Sequence, residues 1–189
     1  MTLFLINGPP RSGKDSAATC LAQLLLGYSL SHWKLADELK VRCHAMYRLT
    51  DSTGRPWRAE FYESNKEVPS SDFLGLSPRA AYIAFHERYL KPVHGPRILG
   101  ELLVENMSHS MYFDSKYLVV SDAGDAEQCA PLLELCGADH TVLIHLSRAG
   151  FSWSDNRVRF DLPGVRTVEV ENPGTTLADL RVALLPCLS

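Results

Sequence analysis

The sequence predicts a three-layer α-β-α fold built on a parallel sheet of about five strands. Short apolar runs such as "LFLI" (residues 3–6), "YLVV" (117–120) and "TVLI" (141–144) lack polar alternation, as strands buried on both faces do. Segments with helical spacing separate them, and strands alternating with helices imply parallel pairing through right-handed crossovers. At 189 residues the chain has the length of one domain.

Taken in order, Leu3–Ile6 is the first strand. A loop leads into a helix over Ser16–Leu26, with Ala17, Cys20, Leu21, Leu24 and Leu25 at helical spacing and Gly27 as its stop. A second strand covers Ser31–Leu35, and Asp37 stands at the start of the next helix. The segment "TDSTGRPWR" is rich in turn residues, and "SNKEVPSSD" reads as an exposed excursion. Ser77-Pro78 opens a helix, with Ser as cap and Pro in the first turn, that runs to Pro92. A further helix spans Ile98–Met111. The third strand ends in Asp122, a helix covers Ala126–Cys136, and "TVLIHL" and "RTVEV" are the fourth and fifth strands before a closing helix at Leu177–Leu185.

Composition excludes several classes. With 46% hydrophobic and 22% charged residues the chain is neither disordered nor fibrous. Its net charge of −3 denies it the overall field of a protein that holds duplex DNA by phosphate neutralisation. Cys20, Cys43, Cys129, Cys136 and Cys187 are odd in number, and none forms a C-x-x-C pair, so neither a disulfide framework nor a zinc site is expected. No signal peptide or membrane-spanning run is legible. The expectation is a soluble protein of the cytoplasm, the host's if a phage encodes it, without a membrane partner.

The chemistry begins at Gly8-Pro9-Pro10-Arg11-Ser12-Gly13-Lys14, between a strand and a helix. These residues fit the P-loop template, in which backbone N–H groups and a helix N-terminus hold phosphates and the lysine reaches the β- and γ-phosphates. Gly8 through Ser16 are therefore the expected ATP-binding residues, with Lys14 also catalytic. The template continues with Ser or Thr for magnesium, and here Asp15 follows. Asp15 serves Mg2+ directly or through water, with Ser16 offering a hydroxyl one residue late, or it only favours the helix N-terminus. Asp122, at the C-terminal end of a strand, is the expected second magnesium carboxylate, since ligands gather at that sheet edge.

In order along the chain, "NGPPRSGKD", "HWKLADELK", "LGLSPRAAYIAFHERYLKPVHG" and "RAGFSWSDNR" resemble the phage deoxynucleoside monophosphate kinase group of P-loop kinases. Within it they look most like the small kinases that phosphorylate 5-hydroxymethyl-deoxyuridine in phage DNA during thymidine hypermodification. The resemblance runs from Leu3 to about Arg159, and the group also carries Asp after the P-loop Lys. Glu38 stands where the group leads one to expect Pro, and the chain is shorter than typical free-monophosphate kinases. The resemblance implies a helical acceptor-binding region, at about 50–112, and a lid, at about 148–159.

Those segments supply the remaining candidates. Arg148, Arg157 and Arg159 bracket a Gly- and Ser-containing loop that could bring guanidinium groups to the transferring phosphate, with Asp155 to orient one of them. Arg148 and Arg157 are the expected catalytic pair. Arg79, on the first turn of its helix, fits a two-pronged contact with an acceptor phosphate, and Lys66 is a second candidate. Asp37 is either the base that an alcohol acceptor needs or a plain helix cap; an acceptor phosphate needs no base.

The leading expectation is an ATP- and Mg2+-dependent kinase acting on 5-hydroxymethyl-deoxyuridine in DNA. The alternative is conversion of dNMP to dNDP. A small-metabolite P-loop kinase and a non-enzymatic nucleotide switch are the remaining classes, and a homodimer is left open.

Overall fold

The computed structural model describes residues 1–57, 60–110, 115–153 and 158–189. Strand β1 (Thr2–Asn7) lies at the centre of a parallel sheet with order β2-β3-β1-β4-β5. Its companions are β2 (Leu30–Trp33), β3 (Tyr117–Val120), β4 (Thr141–Arg148) and β5 (Arg166–Asn172). Leu3 aligns with Leu118 on one side and Thr141 on the other. This is the five-stranded parallel α/β arrangement the apolar runs predict.

Successive side chains of β1 point to opposite faces, so the strand feeds two cores. Leu3 and Leu5 join Leu118, Val120 and Leu143 beneath α2 (Ala36–Met46), α6 (Ile98–Ser108) and α7 (Ala126–Cys136). Phe4 and Ile6 join Val119, Ile144 and Leu146 beneath α1 (Lys14–Leu24) and α8 (Leu177–Leu184). The helices α1 and α8 pack on each other, as do α6 and α7, which completes the three layers. Gly100 makes the second crossing close: a Cβ there would lie 2.1 Å from the carbonyl oxygen of Gln128.

Between α2 and α6 the chain makes a helical detour. It holds α3 (Glu60–Glu63), α4 (Pro78–Phe85) and α5 (Lys91–His94), with a five-residue π-helical turn, His86–Leu90, joining α4 to α5. The Ser77 side chain accepts the N–H of Ala80, the cap its position predicts. Residues 63–69 are exposed, as the polar excursion requires.

Several boundaries differ from expectation for local reasons. Helix α1 starts at Lys14, because Gly13 takes a left-handed conformation (φ 94°) that lets the helix leave the loop at once. Strand β2 stops at Trp33, because Leu35 already takes helical angles at the head of α2. Asp37 is not the cap of α2. That job falls to Asp122, whose two carboxylate oxygens accept the N–H groups of Leu35 and Ala36 at 2.7 and 3.0 Å. The expected helix to Pro92 continues to His94, with Pro92 in the first turn of α5 directly after the π turn. Helix α6 ends at Ser108, and Met111 lies outside the described residues.

All five cysteines are free, with Cys20, Cys43, Cys129 and Cys187 buried. Burial pushes the Cys43 thiol up to about 12, so it packs as a small apolar group. Among the described residues no helix is long and apolar enough to cross a membrane.

Candidate active site

The loop between β1 and α1 is shaped by three backbone devices. A Cβ on Gly8 would lie 2.5 Å from the carbonyl oxygen of Leu146 and 2.8 Å from Ser12 Oγ, so nothing larger than glycine fits. Gly13 faces the amide of Asn172, which donates to the carbonyl of Ser12 at 2.7 Å and pins the loop to the end of β5. Arg11 between them takes φ 63°, a left-handed conformation that costs a non-glycine residue roughly 1–2 kcal/mol. Lys14 bends back across the loop, donating to the carbonyls of Gly8 and Pro9, both at 2.8 Å. Ser12 Oγ is buried and has no partner among the described residues. A tight cradle with an orphaned hydroxyl, opening at a helix N-terminus, fits a polyphosphate.

Beside the cradle lies a chain of polar groups. Ser121, just past β3, donates to Asp15 at 2.7 Å, and His32 Nε2 lies 2.8 Å from the same hydroxyl. Lys34 donates to the other Asp15 oxygen at 3.0 Å. Partial burial raises the Asp15 carboxyl, but the Ser121 hydrogen bond and the Lys34 ammonium outweigh it and hold the group below the usual carboxylate range. Asp15, Ser16, Ser121 and Asp122 line one cleft. Hard oxygens from two carboxylates and two hydroxyls suit Mg2+, which keeps several waters and completes its shell with substrate phosphates. The Asp122 oxygens are also the cap of α2.

The cleft has a volume of about 750 Å³, and the detour forms its far wall. Lys40 of α2, Lys66, Arg79 of α4 and Lys91 of α5 supply cations there. Leu39, Tyr82, Ile83 and Leu99 supply an apolar face. Each cation has a carboxylate near it: Lys40 and Lys66 share Glu63, Arg79 meets Glu67 at 2.7 Å, and Lys91 lies 3.7 Å from Glu87. Backbone links brace the wall, since Arg79 N–H donates to the carbonyl of Lys66 at 3.0 Å.

No family model matches the chain, and no curated protein does. Among solved structures it is similar to a gluconokinase from Sinorhizobium meliloti 1021. The identity is 16%, over 99% of this chain and 91% of that one, with a TM-score of 0.40.

The structure sorts the sequence-predicted residues into groups. Arg11, Gly13, Lys14, Asp15, Ser16, Lys66, Arg79 and Asp122 share the cleft. Gly8, Pro9, Pro10 and Ser12 build the loop without lining it. Arg148 stands outside the cleft on the outer side of the loop, with its guanidinium 3.5 Å from the Arg11 carbonyl and stacked over Phe151 at 5.1 Å. Arg157 and Asp155 lie outside the described residues. Arg159 turns to Glu169 on β5.

Asp37 is exposed and is not among the residues lining the cleft; its carboxylate lies 3.7 Å from Lys40. Although more than half of its side chain is exposed, the protein that crowds its other side desolvates the carboxyl and raises it, Lys40 opposes this, and the neighbouring Asp122 adds to the rise. Sequence reasoning missed Lys40, Glu63 and Tyr82, which face the loop only because the detour folds back over α2. For Lys40 the one available signal was its place a helical turn after Asp37.

Proposed function

We propose that this chain is an ATP-dependent phosphotransferase whose acceptor is a nucleotide. The observation that carries this reading is a single cleft with a glycine-framed loop and Lys14 on one wall and Lys40, Lys66 and Arg79 on the other. Two separated sets of phosphate-binding groups are what transfer between two phosphate-bearing molecules needs, because the reaction depends on charge neutralisation and alignment more than on covalent chemistry. In this reading the loop amides and the N-terminus of α1 hold the triphosphate of ATP, and Lys14 leaves the carbonyls of Gly8 and Pro9 for the β- and γ-phosphates. Asp15 and Asp122, with Ser16 and Ser121, would hold Mg2+, which supplies neutralisation of the charge between those phosphates. Arg79 and Lys66 hold the acceptor, and Tyr82 and Ile83 offer its ring an apolar face. Arg148, the last residue of β4, stands beside the loop rather than in a lid, and the segment that follows it is the one we assign as a lid.

A deoxynucleoside monophosphate suits the far wall best, since its phosphate matches the cations there and its oxygen needs no base. A second reading, the 5-hydroxymethyl group of 5-hydroxymethyl-deoxyuridine in DNA, has less support, because Asp37, the base an alcohol acceptor would need, is not among the residues lining the cleft.

The deciding experiment offers γ-labelled ATP together with a pool of dNMPs and DNA containing 5-hydroxymethyl-deoxyuridine. Label in the nucleotides supports the first reading, and label in the DNA supports the second. Label in neither overturns both, provided that the protein is folded. Lys14→Ala is the control and should cut transfer by a factor of about 100 or more, the loss of one group that neutralises the transferring phosphate.

A further inference from the structure

Glu63 ends α3, and its carboxylate lies in the far wall between two lysines. Oε1 is 3.6 Å from Lys40 Nζ, and Oε2 is 3.3 Å from Lys66 Nζ. Each carboxylate oxygen thus takes one ammonium, as two oxygens of a phosphate would. The Lys40 side chain is only 15% exposed, so its charge needs anions close by; Asp37 at 3.7 Å on its own helix is one, and Glu63 is the one that faces the cleft and is shared with Lys66. Partial burial raises the Glu63 carboxyl, but Lys40 and Lys66 outweigh it and keep it below the usual range, so the group is an anion at neutral pH.

The residue is also built to move at one end only. Its neighbour Tyr62 is buried, packs edge-on against Phe73 and donates to Asp72 at 2.7 Å, which anchors the backbone. The Glu63 side chain itself is 44% exposed and has open solvent beside it.

We propose that Glu63 is a tethered stand-in for the acceptor's phosphate. It keeps Lys40 and Lys66 aligned and ionised before the acceptor arrives, and an incoming phosphate oxyanion displaces it and takes both lysines. The inference rests on reading the far wall as the acceptor site. It adds Lys40 as an acceptor-binding residue and Glu63 as a competitor that sets acceptor affinity. The shared ligand chemistry is a phosphate oxyanion, whether the monoester of a free nucleotide or a diester of a DNA backbone.

Calorimetric titration of the full chain, without ATP, tests this. Because the Gly8–Lys14 loop also offers a phosphate site, the comparison uses Lys14→Ala against Lys14→Ala/Glu63→Gln. The probes are inorganic phosphate, dTMP and the dinucleotide TpT, which carries only a diester. Removing the competing charge should tighten phosphate and at least one nucleotide probe by roughly two- to fivefold, the scale of a partly exposed ion pair. Adding Lys40→Gln to the double variant should abolish the gain. Tightening of dTMP identifies the monoester as the displacing group, and tightening of TpT alone identifies the diester. Equal or weaker binding in the Glu63→Gln protein overturns the proposal. Binding is read without turnover, so failure of the kinase reading and failure of this inference are separate results.

Discussion

His44 Nε2 lies 2.8 Å from the hydroxyl oxygen of Tyr82. The other ring nitrogen, Nδ1, is 2.6 Å from the carbonyl oxygen of Trp57, which can only accept, so Nδ1 carries the proton and Nε2 accepts from Tyr82. The Tyr82 hydroxyl is thus committed to the interior, and the ring is left to line the cleft. Tyr82→Phe keeps the ring and orphans a buried histidine nitrogen. It should cost about 1–2 kcal/mol in denaturant unfolding while leaving the acceptor KM unchanged. Tyr82→Leu, which removes the flat face, should raise that KM. Equal acceptor KM in both variants would take the ring out of the acceptor site.

The same histidine sets part of the acid response. Burial holds the His44 imidazole below its ordinary value of 6.5, with the Trp57 hydrogen bond opposing and Lys40 assisting. The unfolded chain therefore binds more protons than the folded one as pH falls through 6.5. Stability is full above that point and is lost as pH drops towards the folded value. The slope of melting temperature against pH below 6.5 should be smaller in His44→Asn. It should not vanish, because burial shifts His32 in the same direction.

Gly100 is where α6 meets α7 most closely. An added Cβ would lie 2.1 Å from the Gln128 carbonyl oxygen and 2.9 Å from Pro131 Cδ, and neither can swing aside as a flexible side chain would. Gly100→Ala should lose about 3 kcal/mol to overpacking and regain about 1 from helix propensity. Calorimetry should show a melting temperature lower by roughly 4–8 °C for that net loss.

Asp15 offers a test of the metal assignment. Asp15→Asn keeps the shape and the Ser121 contact but removes the charge that faces Lys34. Half-maximal transfer should then require roughly tenfold more Mg2+, with maximal activity recovered in excess metal. An unchanged magnesium titration would return Asp15 to a purely electrostatic part at the head of α1.

What could be read from the chain alone divides along sequence distance. Strand β1, the Gly8–Lys14 loop and helix α4 with its Ser77 cap are written in contiguous residues. The cap is visible because Ser77 accepts the N–H of Ala80, three residues on. The cap of α2 comes from Asp122, which lies 86 and 87 residues from the two amides it serves, and no local pattern marks it. The Asn172 brace on Ser12 spans 160 residues and is invisible for the same reason. Arg79 and Lys66 could be picked out as cations on a helix start and a loop. The meeting of Lys66 with Lys40 through Glu63, and of Arg79 with Glu67, depends on how the detour folds, which composition and spacing do not encode. The π turn at His86–Leu90 looks like ordinary helix in sequence, because its side chains keep near-helical spacing.

The two-sided burial of β1 bears on how such a molecule can change over generations. The apolar face of the far wall, with Leu39 and Leu99, belongs to the core on one side of the sheet, whereas the helix carrying the phosphate loop rests on the other. In the proposed reading, substitutions in the apolar face of the acceptor wall are separated by a full layer of strands from those that pack the helix behind the loop, so their effects on stability should add. A lineage could then exchange one acceptor for another by rewriting a single side of the sheet, provided that it kept the links at the sheet edge, where Asp122 caps α2 and Lys34 and Ser121 hold Asp15.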